Sequence, residues 1–415
     1  MGSGDPYGRQ LDGMGAGISS LSKICLVEPY GKRIVKADRG LRFRTGLGGI
    51  DAARDTAEAA KALEAAEDRS DEQPLDIDYT FVGLGIENNE VDVAGNCGNM
   101  SSAIGPYAYN AGLLPPHFYD RGIKEVTVKI RNTNTGKLIN STFEVLGGEA
   151  LVVGDYSIDG VTGPGAKVKL DFKSPFGSKT GRLLPTGKKV NIIEGYKVSC
   201  IDGANPAIFI RADDVGVDGA ILPNDFNKQP DKLALLERIR KAAAVAMGIA
   251  PTEDEVPRTI PKIGLVSQSS THRVLSGQTL NASQVDIVVR FLSDTQPHRA
   301  IPLTAALTTA VAARIPGSIV EQLMSSDPVM KDAITIGHAS GKIEVNATMH
   351  EKHKNKPLSA TVYRTAKRLF EGKIFYTQKE EDIIKPTINK SGYGRAIPNT
   401  IAHYGTGGRH SLGHA

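Results

Sequence analysis

Three stretches of this 415-residue chain set reactive side chains among glycines. The first is VDVAGNCGNM, where Cys97, one of only three cysteines, stands between Gly95-Asn96 and Gly98-Asn99 just ahead of a run of small residues. A thiol at the entrance of a helix meets unpaired N–H groups and the positive end of the helix dipole, which favour thiolate over thiol. Flanking glycines let backbone N–H groups approach an anion closely, as a carboxylate cradle requires. A cysteine so placed suits an acid or base that moves a proton to or from carbon. The second stretch is GMGAGISSLSKICLV, in which Lys23 follows Ser19, Ser20 and Ser22 on a glycine-rich approach. Partial loss of water there would make the amine a base, whereas a lysine on a strand edge is ordinarily a solvated charge. The third is GHASG, where His338 and Ser340 beside Gly341 could hold an anion, or simply form a tight turn between strands. Cys25 and Cys200 sit in apolar runs and read as small buried hydrophobes.

The elements that must position these groups can be read in outline. Strands are expected over 22–27, 76–86 and 90–95, then a small-residue helix over 101–111 that contains Pro106, with a kink or a late start. EVTVKIRNTNTGKLINSTFEV (125–145) predicts a β-hairpin, and 166–172 a further strand. The second part gives two strands around an Asn-Pro turn within 196–216, a helix over 231–247, and strands over 262–267 and 286–293. A second small-residue helix within 298–317 follows, and strands over 342–349 and 359–376 close the order. Both halves thus run strands, a turn, an Ala/Ser/Thr helix and more strands. A helix built from small residues can be wrapped by strands on all sides. Two such helices facing each other would bring their N-termini to one cleft. DAARDTAEAAKALEAAE (51–67) has helical spacing but few large apolar groups, and reads as a surface insertion.

Composition excludes several classes. Apolar residues make up 40% of the chain, enough for a sizeable core, and the formal net charge is only +4. No basic stretch is interleaved with aromatics, so nucleic acid is not an expected partner. No apolar run reaches 18 residues, and neither a membrane span nor a signal peptide is expected. Three scattered cysteines make no disulfide framework and suggest a reducing, cytoplasmic setting. There is no HExxH or CxxC, and Gly83-Leu84-Gly85 lacks the rest of a dinucleotide fingerprint, so neither metal nor nucleotide cofactor is expected.

At these residues the chain resembles the PrpF family, also called the methylaconitate or aconitate isomerase family. The resemblance rests on GSGDPYGRQLDGMGAGISSLSKICLV, VDVAGNCGNMSSAIGPYAYNAGL, YSIDGVTGPGAKVKLDF, PTGKKV, DGANPAIFIRADDVG, GHASGKIEV and RTAKRLFEGKIFY, spread from residue 2 to about 376. It implies an α+β fold like that of diaminopimelate epimerase: two similar lobes, each a β-barrel-like sheet wrapped around a central helix. The lobes would span 1–185, with an insertion at 28–75, and 186–376, followed by a poorly ordered tail at 377–415. It also implies a cofactor-free isomerase of small unsaturated di- or tricarboxylates. Lys23 and Cys97 fall on the family's lysine and cysteine and would exchange the proton. Ser19, Ser20, Ser22, Asn96, Gly98, Asn99, Met100, Ser101, His338, Ser340 and Gly341 are the expected substrate contacts.

Family members usually begin with a further strand and an RGGTSKG-like loop, so an open sheet edge is expected in the first lobe. A non-catalytic carboxylate-binding protein that assists a dehydratase, or an inactive truncated relative, is the competing reading. The helix of the second half has no cysteine, which argues against a symmetric two-thiol racemase. A homodimer is the expected assembly.

Overall fold

The computed structural model describes residues 21–31, 74–85, 90–293, 295–352 and 356–372. Met1–Ile34 and Gly48–Leu369 group into one compact unit that holds every described strand and helix. Of a second unit, Val35–Leu47 with Phe370–Ala415, only 370–372 are described. The helix expected at 51–67, most of the insertion at 28–75 and the tail at 377–415 lie outside the described residues.

The framework is a mixed sheet with few helices. In chain order its longer strands are β1 (Lys23–Pro29), β2 (Ile77–Leu84), β3 (Glu125–Asn132), β4 (Leu138–Leu146), β5 (Val168–Lys173), β6 (Tyr196–Asp202), β7 (Pro206–Arg211), β8 (Lys262–Gln268), β9 (Ile287–Ser293), β10 (Ile334–His338), β11 (Gly341–Met349) and β12 (Pro357–Arg364). The hydrogen-bonded path is β1-β2-β3-β4-β5-β12-β11-β10-β9-β8-β7-β6, ended by the short strand Asn191–Ile193. Strands of the first half thus follow in sequence order, those of the second half in reverse, and β5 joins β12 where they meet. The main helices are α1 (Gly98–Asn110), α2 (Pro230–Ala246) and α3 (Leu303–Ala312).

The two halves repeat one connection. β1 and β2 are antiparallel, α1 follows, and β3 pairs parallel to β2. Likewise β8 and β9 are antiparallel, α3 follows, and β10 pairs parallel to β9. In each half a two-residue strand folds back on the end of the strand before the helix: Val91–Asp92 on β2, and Gln296–Pro297 on β9. α1 packs against β1, β2, β4 and β5, and α3 against β6, β7, β11 and β12.

Side-chain patterns explain the placement. In β3, Val126, Val128 and Ile130 point inward while Glu125 and Thr127 face out, the alternation of a sheet with one covered face. β7 (PAIFIR) is apolar almost throughout and buried to Ile210, as a central strand covered on both faces must be. All ten residues of α3 are buried, which its small side chains permit. One apolar core runs through both halves; a second packs α2 against β6, β7 and β8.

Several boundaries differ from expectation. The strand expected at 90–95 is only Val91–Asp92, because Asp92 Oδ1 accepts the Ala94 N–H at 2.8 Å and turns the chain. α1 starts at Gly98 rather than 101 and continues through Pro106, with that residue's N–H bond missing. α3 occupies only the middle of 298–317. β12 stops at Arg364, opposite Val168, where its partner strand begins. β1 runs to Pro29, so the insertion starts later than residue 28. Among the described residues β1 is an end of the sheet.

Candidate active site

The N-terminal ends of α1 and α3 meet. A Cβ added at Gly98 would lie 2.8 Å from Leu303 Cβ, so only glycine lets the first residues of the two helices touch. Cys97 is the residue before α1's first turn, in extended conformation (φ −104°, ψ 99°), and its thiol makes no capping hydrogen bond. Neither helix carries an acidic residue in its first turn, so the positive ends of both dipoles are left uncancelled.

Asn205, buried in the turn between β6 and β7, ties the two helix ends together. Its Oδ1 accepts the Asn96 N–H at 3.2 Å, and its Nδ2 donates to the Asn96 carbonyl at 2.7 Å and to Thr304 Oγ1 at 3.1 Å. Ser101 donates to Asn96 Oδ1 at 3.3 Å and to the Cys97 carbonyl at 3.2 Å, and the Tyr79 hydroxyl also donates to that carbonyl, at 3.3 Å. The turn that carries Cys97 is therefore fixed from three sides. Asn96 is 5% exposed, yet its Nδ2 has no hydrogen-bond partner. A buried donor in that state is a ready partner for an incoming anion.

A small cleft, of about 60 Å³, opens at this point. Lys23, Cys97 and the flanking Asn96, Gly98 and Asn99 line it together with Ser22. Lys23 is the first residue of β1, opposite Gly83 of β2, so strand pairing delivers the amine to the helix end. From the second half come Asn205, Arg258, Lys262, His298 and Thr304. No Asp or Glu is among the described lining residues, which include Lys23, Arg258 and Lys262.

The other thiols are held back. Burial pushes Cys25 up to about 12, with Cys97 as the next contribution, and burial alone pushes Cys200 to about 12. Burial is also the main cause that brings His298 down to about 4, helped by the charges of Lys262 and Lys23. His298 Nδ1 accepts the Ala300 N–H at 3.1 Å, which leaves the proton of the neutral ring on Nε2 as a donor.

Not every expected contact lies here. Met100 packs against the core and Ser101 is buried beneath Cys97, because side chains further along the first turn point down the helix rather than past its end. His338 is buried, and its Nδ1 accepts the Ser340 N–H at 3.2 Å; Ser340 Oγ donates to the Arg299 carbonyl at 2.5 Å. The Ser340 N–H is thus spent on its own turn, and the Ser340 hydroxyl on the linker that precedes α3. Ser340 and Gly341 line a second, wider cleft, which also borders Lys23, Asn99 and His298. Ser19 and Ser20 lie outside the described residues.

Asn205, Arg258, Lys262, His298 and Thr304 were not singled out by sequence reasoning. The signal that could have pointed to one of them, His298, is a spacing: 93–97 and 298–302 are linkers of equal length between a short strand and a helix. Among the described residues no cluster of three or more His, Cys, Asp or Glu could hold a metal ion, and no helix is long and apolar enough to cross a membrane.

The family model described as PrpF protein matches residues 45–377. The chain is 38% identical over 309 residues to a 3-methylitaconate isomerase of Eubacterium barkeri, covering 72% of this chain and 79% of that one. It is 32% identical over 384 residues to a 2-methyl-aconitate isomerase of Shewanella oneidensis, covering 90% and 86%. A crystal structure of a methylitaconate-delta-isomerase superposes with a TM-score of 0.65 at 33% identity, covering 89% of this chain and 85% of that one. The chain belongs to the PrpF family.

Proposed function

We propose that this isomerase acts on small unsaturated di- or tricarboxylates of the methylaconitate and methylitaconate type, and that Lys23 and Cys97 move the proton. Isomerase activity on a small carboxylate follows from the family and its named relatives. The observation that carries the residue assignment is the shared cleft: the Lys23 amine and the Cys97 thiol line it together where two helix N-termini touch, and no carboxylate is among its described lining residues.

The reaction needs a C–H bond that is allylic and next to a carboxylate. One of the pair removes that proton, and the electron pair spreads over the double bond and into the carboxylate. The other returns a proton at the far end, which moves the double bond, or at the same carbon after rotation, which changes its geometry. The developing charge lies on carboxylate oxygens. There the N–H groups of α1, the Asn96 amide and the His298 ring would stabilise it, at no cost of reorganisation.

The matching order of elements supports reading the halves as two similar lobes, 1–185 and 186–376, each wrapped around its helix. The same reading includes work without a cofactor, a reducing cytoplasmic setting, suited to three free thiols, and a homodimer that sedimentation would detect. Incubating purified protein with cis-aconitate, trans-aconitate, 2-methylaconitate and methylitaconate and following each by proton NMR tests the activity. Interconversion within at least one pair is expected; inertness toward all would favour the carboxylate-binding alternative.

A further inference from the structure

Ser340 stands in the tight turn between β10 and β11 and is not among the residues that line the Cys97 cleft. Its hydroxyl leaves that turn and donates to the Arg299 carbonyl at 2.5 Å. That carbonyl belongs to the same planar peptide as the Ala300 N–H, which His298 Nδ1 accepts at 3.1 Å. Across a trans peptide the C=O and the N–H point opposite ways. One peptide is therefore held at both ends, its oxygen by Ser340 and its hydrogen by the imidazole. With Nδ1 occupied as an acceptor, the ring proton sits on Nε2. His298 itself lines both the small cleft beside Cys97 and the wider one. Hydroxyl, peptide and imidazole thus form a relay of three neutral groups that ends at the site. Each bond polarises the next in the same sense, toward a stronger Nε2–H donor.

The far end of the relay is anchored twice. His338 Nδ1 accepts the Ser340 N–H at 3.2 Å, the same local turn that His298 makes with Ala300. From the first half of the chain, Asp159 and Gly160 press on the turn. Asp159 Oδ2 accepts the Lys342 N–H at 2.7 Å, and a side chain at Gly341 would collide with Asp159. A Cβ at Gly160 would lie 2.7 Å from Ser340 Cβ. The YSIDG and GHASG stretches therefore interlock: the first holds the second, and the second holds the linker that carries His298. Burial is the main cause that keeps both rings from a second proton, with His298 brought down to about 4 and His338 to about 3. Near neutral pH neither ring becomes a cation that would put a proton on Nδ1 and break the chain.

We propose that Ser340 is a positioning residue for the reaction: through the Arg299–Ala300 peptide it fixes His298 as an Nε2–H donor to a substrate carboxylate, and Asp159 steadies the turn that carries it. The inference rests on the isomerase reading of the cleft. Without the grip on the Arg299 carbonyl the peptide can turn. A ring that loses the Ala300 N–H is free to carry its proton on Nδ1, and it then presents a lone pair to the carboxylate in place of a donor.

Nitrogen-15 side-chain NMR of the resting protein reads the tautomer without turnover, with His298→Gln identifying the signals. The wild type should show Nδ1 unprotonated and Nε2 protonated. Ser340→Ala should show a mixture of tautomers. It should lower kcat by about five- to fiftyfold with KM changed less than about threefold, within the range that a slight misplacement of a reacting group costs. Asp159→Ala should move both readouts in the same direction by less. Asp159→Asn keeps an acceptor for the Lys342 N–H and should restore the wild-type spectrum and rate. A single Nε2–H tautomer in Ser340→Ala, or a mixture with kcat unchanged, would overturn the proposal. If that variant does not fold, Asp159→Ala beside Asp159→Asn decides by the same two readouts. If the wild type turns over no carboxylate, the isomerase reading fails, and the tautomer alone decides whether Ser340 fixes the ring.

Discussion

The turns before α1 and α3 share a length and a place in the topology but not a chemistry. Each links a two-residue strand to the first turn of a buried helix in five residues. The first spends its five positions on Val93-Ala94-Gly95-Asn96-Cys97, the second on His298-Arg299-Ala300-Ile301-Pro302. Where one half has a thiol, the other has a proline, which offers neither a side-chain donor nor a backbone N–H. The framework has been repeated and the reactive groups have not. Among the described residues, the cleft between them is lined by Cys97 and Lys23 from the first half, and by Arg258, Lys262 and the neutral His298 ring from the second. That asymmetry fits a reaction in which a proton leaves one position and returns at another, with distinct partners at each.

The largest expected effect tests that asymmetry at its source. Cys97→Ser and Lys23→Ala should each lower kcat by about 10²–10⁴-fold, the usual contribution of a positioned acid or base. Both residues are partly exposed, so the melting temperature should change little; steady-state kinetics beside thermal unfolding checks both points. Next comes the tie between the turns. Asn205→Ala strands the buried N–H and carbonyl of Asn96, and each such loss costs about 1–3 kcal/mol. Denaturant unfolding should show destabilisation of about 2–4 kcal/mol, with a fall in kcat as the Cys97 turn loosens.

Gly98→Ala follows. Its methyl group would meet Leu303 at under 3 Å, so the helix ends must part, for about 1–3 kcal/mol of overpacking. Loss of kcat/KM out of proportion to the loss of stability would show that contact between the helix ends matters to the chemistry.

The smallest effect compares two hairpin turns. β3 ends in buried Asn132, which accepts from the Thr135 N–H at 3.1 Å; β10 ends in buried His338, which accepts from the Ser340 N–H at 3.2 Å. Only the histidine titrates. Burial, then the charge of Arg290, pushes His338 down to about 3 from an ordinary 6.5. Between those values the unfolded chain binds a proton that the folded one refuses, so stability rises with pH across this window. It is full above pH 6.5 and is lost as pH falls toward 3, by up to about 1.4 kcal/mol per pH unit. His338→Asn should flatten this part of the acid limb in denaturant unfolding measured at several pH values; an unchanged slope would assign the acid sensitivity elsewhere.

The parts of the site legible in the sequence were those with a local signature. Cys97 and Lys23 are chemically distinctive residues in glycine-rich surroundings, and the hairpin at 125–145 and helix over 231–247 declare themselves by period. What escaped was set by contacts distant in sequence. Asn205 reads locally as half of an Asn-Pro turn, yet it bonds to Asn96 and Thr304, each about 100 residues away. His298 reads as the first residue of a helix that in fact begins at Leu303. Nothing near Arg258 shows that Arg240 will donate to the carbonyls of Pro257, Ile260 and Pro261, or that Asp92 will accept the Thr259 N–H. In GHASG the Ser340 hydroxyl bonds to the Arg299 carbonyl, a partner 41 residues away that the local motif does not show.

Solvent deuterium tests the central claim most directly. The isomerase would be run to partial conversion in deuterated water with whichever unsaturated carboxylate it turns over, beside Cys97→Ser and Lys23→Ala. NMR would locate the label in product and in recovered substrate. Deuterium at the newly protonated carbon, with isomerisation abolished or nearly so in both variants, is the predicted result. Label-free product, or full turnover by either variant, would contradict proton transfer by this pair.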